Sequence, residues 1–245
     1  MSEDPVYYDV ATNSIVREDK IDVLPCIDGV PGYVRLVDHM GSDLSVSRSA
    51  RVSYNADWRE GNDDKNDERL INYLWKNKHT TPFESVTFTF EVKAPIFVFR
   101  QWHRHRTWAF NEISGRYTEL DMGYYLPELD QITTQSASNK QMRTNEQHPM
   151  AEPMQDKMRM ACGASFMIYR DMVNGGCPRE LARSVLPVAT YSRMFATVSL
   201  MNLFKFITLR SHDHAQYEIR IYSDAMLKLI EPIVPVCTKA FHTHK

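Results

Sequence analysis

Val86, Phe88, Phe90 and Val92 alternate with Thr87, Thr89, Glu91 and Lys93. A period of two puts the apolar set on one side of an extended chain, which predicts a half-buried strand. Residues 191–198 (YSRMFATV) alternate in the same way and predict a second strand. Elsewhere the apolar spacing is three or four, the helical period. Leu70, Ile71, Leu74 and Trp75 predict a helix over 67–78 capped by Asn66 or Asp67. Lys76 and Lys78 fall in its last turn, where cations suit the carbonyl end of the helix dipole. Met158, Cys162, Phe166, Tyr169 and Val173 share one face of a helix over 156–173, with Asn174-Gly175-Gly176 as its stop. Further helices are predicted over 38–53, over 95–106 (opened by Pro95), over 200–210, and over 214–231 with Ile219, Tyr222, Met226 and Ile230 in register. A short helix starts at Pro178 and ends before Pro187.

Between these elements, residues 1–32 predict an irregular N-terminal extension, 55–67 a charged loop and 130–156 a long polar surface excursion. The tail AFHTHK predicts a solvated terminus. The whole predicts one α/β or α+β domain over 33–245, a central mixed sheet flanked by helices. No Gly-rich turn joins a strand to a helix, which argues against a Rossmann dinucleotide site.

Composition narrows the function classes. The 245 residues suffice for a buried core without staples. A formal charge of −2 gives no bulk attraction to nucleic acid or acidic membranes, so any anion site must be local. Cys26, Cys162, Cys177 and Cys237 form no CxxC pair, and the acidic start MSEDPVYYDV does not resemble a leader. No run of about 18 apolar residues occurs. Free thiols in a reducing cytoplasm, with no membrane or nucleic-acid partner, are the expectation.

The local exception to this neutrality is RQWHRHRTWAFNEISGRY, residues 100–117, with Arg100, His103, Arg104, His105, Arg106 and Arg116. Beside an apolar wall, such charge is weakly screened and binds anions. On a helix over 95–106, Gln101 shares a face with Arg104 and with His105. Arg104 and Arg106 point about 200° apart, toward two ligands or a ligand and a neighbouring subunit. Glu112, Ser114, Gly115 and Arg116 add an acceptor, a hydroxyl, a close-approach backbone and a guanidinium, a set suited to a base edge plus a phosphate. The plainer alternative is a solvated basic helix with ion pairs. His103 and His105 are two apart and face different sides, so no metal site is expected. A single-strand nucleic-acid module stacking bases on Trp102 and Trp108 is the alternative from another class.

Arg104-His105-Arg106 followed after seven residues by Ser114 resembles the signature of the flavin-dependent thymidylate synthases. The segments at 79–84 (HTTPFE), 179–187 (RELARSVLP) and 209–219 (LRSHDHAQYEI) also look like that family, and the likeness spans roughly residues 33–232. The resemblance implies an α/β fold and a homotetramer whose sites are shared between chains. It implies conversion of dUMP to dTMP, with methylenetetrahydrofolate as carbon donor, FAD as cofactor and NADPH as reductant. Hydroxymethylation of a pyrimidine nucleotide on the same scaffold is its nearest alternative. Carried over by position, the flavin site is Ser53, His79, Thr81, Glu84, Arg104, His105, Arg106 and His214. The nucleotide site is Gln101, Arg104, Glu112, Ser114, Gly115, Arg116, Arg183 and Arg210, with Ser114 and Arg210 catalytic. Ala109, Ser199, Met201 and Lys205 depart from residues that relatives often carry, which implies altered flavin affinity or electron-donor preference.

Overall fold

The computed structural model describes residues 6–9, 14–17, 20–53, 64–120 and 123–244. Its centre is a five-stranded sheet of order β3-β4-β5-β9-β6. The strands are β3 (Lys20–Leu24), β4 (Gly32–Met40), β5 (Thr87–Pro95), β6 (Ala109–Glu112) and β9 (Tyr191–Ser199). Every pairing is antiparallel, so the α+β class holds but the expected mixed sheet is corrected to an antiparallel one. The two alternating stretches are its centre: β5 and β9 pair from Thr87↔Ser199 to Pro95↔Tyr191. Phe88, Phe90 and Val92 of β5, with Met194, Ala196 and Val198 of β9, are buried on one face. Burying a large apolar side chain contributes about 1.5–3 kcal/mol, and a one-residue slip would turn this whole set outward.

Three helices close over that core: α6 (Leu200–Arg210), α7 (Tyr217–Ile230) and α8 (Pro235–Thr243). The helix α6 begins and ends where the apolar run does. The tail is the end of α8: His242 and His244 are exposed as expected, but Ala240 and Phe241 are buried, Phe241 stacked on Phe204 at 4.5 Å between ring centroids. Pro235 occupies the first turn, where its missing N–H costs nothing. The Asp43 carboxylate accepts the Val236 and Cys237 N–H groups, both at 2.9 Å, and so caps this helix.

Several expected boundaries move. Residues 38–40 belong to β4, because His39 and Met40 pair with Phe88 and Thr87 of β5. Gly41, at φ +87°, ends the strand, and α1 runs only Asp43–Val52. Helix α2 runs Asp64–Lys76, starting before the expected caps Asn66 and Asp67. Of the charged loop expected over 55–67, residues 64–67 are helical and the earlier ones lie outside the described residues. The lead-in is not irregular throughout: β1 (Val6–Asp9) pairs with β2 (Ser14–Arg17), and β3 joins the main sheet. The polar excursion holds a hairpin of β7 (Thr133–Gln135) and β8 (Arg143–Gln147) and the start of α4 (Ala151–Asn174). Cys162, Phe166 and Tyr169 face inward from α4 as expected, whereas Met158, Met160, Met167 and Ile168 are exposed.

The helix expected over 95–106 is shorter. Pro95 ends β5, and α3 covers Ile96–Trp102. Trp102 and Trp108 are buried against Phe206, at 4.9 and 5.1 Å between ring centroids. Two anchored indoles six residues apart force the intervening chain into tight turns. Buried in this way, they offer no stacking platform to a nucleic acid, which overturns that alternative.

Candidate functional site

Between the two indoles the chain runs Arg104-His105-Arg106 with alternating exposure. The Arg104 and His105 N–H groups bond to the carbonyls of Gln101 and Trp102, so the chain is turning rather than helical. The face-sharing expected from a continuous helix therefore does not apply. Arg104 and Arg106 are exposed, and among the described residues neither side chain has a hydrogen bond or ion pair. His105 turns inward, its ring edge-on to Phe206 at 4.9 Å.

There His105 meets Arg210, the last residue of α6. The guanidinium donates from Nε to His105 Nε2 at 3.0 Å, from Nη1 to Gln101 Oε1 at 3.5 Å and from Nη2 to the Gln101 carbonyl at 3.3 Å. Three of its five N–H donors are thus used, and among the described residues the other two have no partner. Burial, and then the positive charge of Arg210, lower the His105 pKa from 6.5 to about 4. His105 is therefore neutral at physiological pH, accepting at Nε2. Burial lowers the Arg210 pKa as well, but a guanidinium keeps its proton.

A second group lies beyond β6. Ile113 pairs back to Arg193 of β9 through its N–H, which ends the edge strand, and a turn follows in which the Ser114 carbonyl accepts the Tyr117 and Thr118 N–H groups. The Ser114 hydroxyl accepts the Arg116 N–H at 3.3 Å. Gly115 is buried: a Cβ there would lie 3.3 Å from Cδ of Arg183, so only glycine leaves the Arg183 stem undisturbed. Arg183 opens a 3-10 turn, Arg183–Val185, after the short helix α5 (Arg179–Ala182). Ala182 is buried and fixes that turn, while Arg179, Glu180 and Arg183 remain exposed. Arg116 pairs with Glu180 at 3.3 Å, both side chains more than half exposed, and Arg179 pairs with Glu119 at 3.4 Å. Glu112 accepts the Ser192 hydroxyl at 2.6 Å.

The third group surrounds the end of α2. The His79 N–H bonds to the Leu74 carbonyl and the Lys78 N–H to the Trp75 carbonyl, with Lys78 at φ +59°. This is a Schellman closure made without glycine, a costly conformation for lysine. It aims the chain into the 3-10 turn Thr81–Ser85, anchored by buried Phe83. Ser53, His79 and Thr81 together line a pocket of about 690 Å³, with Tyr73, Lys78 and Arg51 beside them. The Tyr73 ring stands edge-on to His79 at 5.9 Å. Glu84 is exposed on the turn and is not part of that lining.

His214 lines a different pocket, of about 580 Å³, between the β7–β8 hairpin and the α6–α7 turn. Gln216 lines it too, and its side-chain oxygen accepts the amide of Gln101. Gln216, Arg143, Tyr73 and Lys78 were not among the expected site residues. Gln216 lay within a matched segment, and the others carried no sequence signal beyond polarity.

On one chain, then, the expected residues form three groups: Gln101, His105 and Arg210; Glu112 to Arg116 with Arg183; and Ser53, His79 and Thr81. Among the described residues no hydrogen bond or ion pair links the groups. Of the departures, Met201 is buried in the core, Ser199 accepts the Asn202 amide at 3.1 Å, and Ala109 and Lys205 are exposed. No helix among the described residues is long and apolar enough to cross a membrane.

The fold that carries these groups is similar to that of a nucleotide-methylating enzyme. The fold superposes with a TM-score of 0.80 on a UMP/dUMP methylase, PolB from Streptomyces cacaoi, solved with 5-Br dUMP, at 34% identity over 86% of this chain and 95% of that one. The family model described as "Thymidylate synthase complementing protein" matches residues 35–236. Flavin-dependent thymidylate synthase of Treponema denticola is 43% identical over 87% of this chain and 80% of its own length. That of Thermotoga neapolitana is 40% identical over 89% and 93%. The chain belongs to the flavin-dependent thymidylate synthase family, a family of methyltransferases.

Proposed function

We propose that this chain converts dUMP to dTMP, with 5,10-methylenetetrahydrofolate as carbon donor, NADPH as reductant and FAD as the flavin. The observation that carries this reading is Arg210, half-buried, held by His105 and Gln101, with two donors left for a ligand. A fixed guanidinium in a poorly screened place suits negative charge that develops during reaction, because it needs no reorganisation then. The likeness to the Streptomyces cacaoi UMP/dUMP methylase, solved with 5-Br dUMP, supports a uridine nucleotide as the substrate.

The roles divide by chemistry. Arg116 and Arg183 offer forked donors to the phosphate. Gln101, Glu112, the Ser114 hydroxyl and the Gly115 backbone bind the rest of the nucleotide. Arg210 and Ser114 donate toward the uracil ring as charge accumulates on it. No step needs an enzyme thiol: none of the four cysteines lies in the family-like segments, and burial pushes the Cys162 and Cys237 thiols up, away from the nucleophilic thiolate.

The donor set fits a flavin dinucleotide. Hydroxyls of Ser53 and Thr81 with the imidazole of His79 suit a pyrophosphate or ring edge. Arg104 and Arg106, exposed and without side-chain partners among the described residues, suit its charge. His105, His214 and Glu84 complete the set. When bound, the flavin supplies the redox step between reductant and transferred carbon. The 690 Å³ pocket is lined by only Ser53, His79 and Thr81 of the expected residues, and among the described residues no hydrogen bond or ion pair links the three groups on one chain. We infer a homotetramer in which neighbouring chains complete each site. The exposed methionines of α4, and Ile168 beside them, suit such an interface.

The test is to titrate purified protein with FAD and dUMP and to identify the product by mass. A methylated deoxynucleotide formed only with folate, reductant and flavin is expected. Failure to take up FAD would sink the reading. A hydroxymethyl product would replace it with the alternative chemistry, and UMP assayed alongside dUMP reports the sugar preference.

A further inference from the structure

Arg210 can only donate, so the Gln101 side chain must present its oxygen to that guanidinium. The Gln101 NH2 then points the other way and needs an acceptor. It finds the side-chain oxygen of Gln216, on the residue immediately before α7. An amide has two nearly isosteric orientations, and which one is populated depends on its partners. With the Gln216 oxygen removed, no acceptor among the described residues holds the NH2 on that side, and Gln101 can turn its NH2 toward Arg210, which repels it.

The position of Gln216 is itself fixed from behind. Two residues on, Glu218 is buried, and its Oε1 accepts the Tyr125 hydroxyl at 3.1 Å and Arg143 Nη2 at 3.3 Å. The Arg143–Glu218 bond ties the β7–β8 hairpin to the first turn of α7, and Arg143 is itself held by donating to the Gln131 carbonyl at 3.0 Å. The polar excursion, which had no role in the sequence reading, thereby backs the segment carrying Gln216.

We infer that Gln216 is a positioning residue: by accepting the Gln101 amide it fixes the orientation that holds Arg210 for the nucleotide. This rests on the proposed function in so far as the nucleotide is dUMP. Gln216 need not touch substrate, and its whole effect passes through Gln101.

A double-mutant cycle tests this claim, with Gln216→Met and Gln101→Met each removing the amide at similar length. Gln216→Met alone should weaken dUMP binding about tenfold, one decade on the affinity scale. In the Gln101→Met background it should add nothing, because the intermediary is already gone. The His105 titration, followed by NMR without nucleotide, should move up in Gln216→Met as Arg210 loosens, and not move further in the double variant. Additive losses, or an unchanged affinity with an unchanged titration, would overturn the inference. If wild-type protein binds no dUMP, the functional reading fails instead. The titration cycle then decides the positioning claim alone.

Discussion

The two arginine groups differ in how they are held. Arg210 is half-buried, bonded three times and set on Phe206 through His105. Arg116 is exposed, turned toward Glu180 in an ion pair of the kind that contributes about 0–1 kcal/mol. The first group is organised before any ligand arrives. To bind a phosphate as proposed, the second would exchange a protein carboxylate for it, which a weak surface pair permits at little cost. In the proposed reaction that contrast would suit the exposed arginines to a fixed ground-state charge and the buried one to developing charge.

The largest effect should come from breaking the organised group. Arg210→Ala removes the poised donors and leaves the His105 and Gln101 acceptors without a partner. Turnover should fall by about 100- to 1,000-fold, the scale of losing one preorganised donor. Single-turnover rates at saturating dUMP measure this, and a loss confined to KM would erase the contrast.

Next is the exposed group. Arg183→Ala should weaken dUMP binding by about 2 kcal/mol, the scale of one charge-assisted contact, with kcat little changed. Calorimetry of dUMP binding checks it, and an unchanged affinity would remove Arg183 from the nucleotide site.

Gly115→Ala should act through the same arginine, because the new Cβ crowds the Arg183 Cδ at 3.3 Å. The stem can give way, so the loss should be smaller, about threefold or 0.7 kcal/mol. It should vanish in the Arg183→Ala background. A loss that persists there would place the effect in the Ser114 turn instead.

The organised group should also respond to pH. His105 titrates near 4 in the folded chain and near 6.5 when unfolded. Between those values the unfolded chain binds more protons, so stability falls as pH drops from about 6.5 to about 4 and levels off below. His105→Gln, which keeps an acceptor, should flatten that limb. Urea midpoints at pH 7 and pH 5 for both proteins would show it, and equal slopes would mean that His105 is not held neutral.

Periodicity alone gave the two central strands, α6, and the inward face of α4, because burial on one side of a regular element writes its period into the sequence. The segments that resemble the family contain most residues of the three groups, while Ser53 and Gln101 lie outside them. Some features were illegible because their cause is distant in sequence. Asp38 to Met40 form strand through pairing with β5, and α8 depends on a cap from Asp43. The long helix expected after Pro95 was cut short by packing of Trp102 and Trp108 on Phe206, which no local propensity encodes.

The sequence by itself determined which chemical groups are available: guanidinium, imidazole, amide and hydroxyl at fixed places along the chain, and the family to which that order belongs. Only the tertiary structure decided which of them meet and in what state. His105 becomes a neutral acceptor, and Arg210 a poised donor, because partial burial strips some of the water from both, with the His105 ring packed on Phe206. That solvent exclusion is a property of the packed molecule, and no stretch of residues possesses it alone.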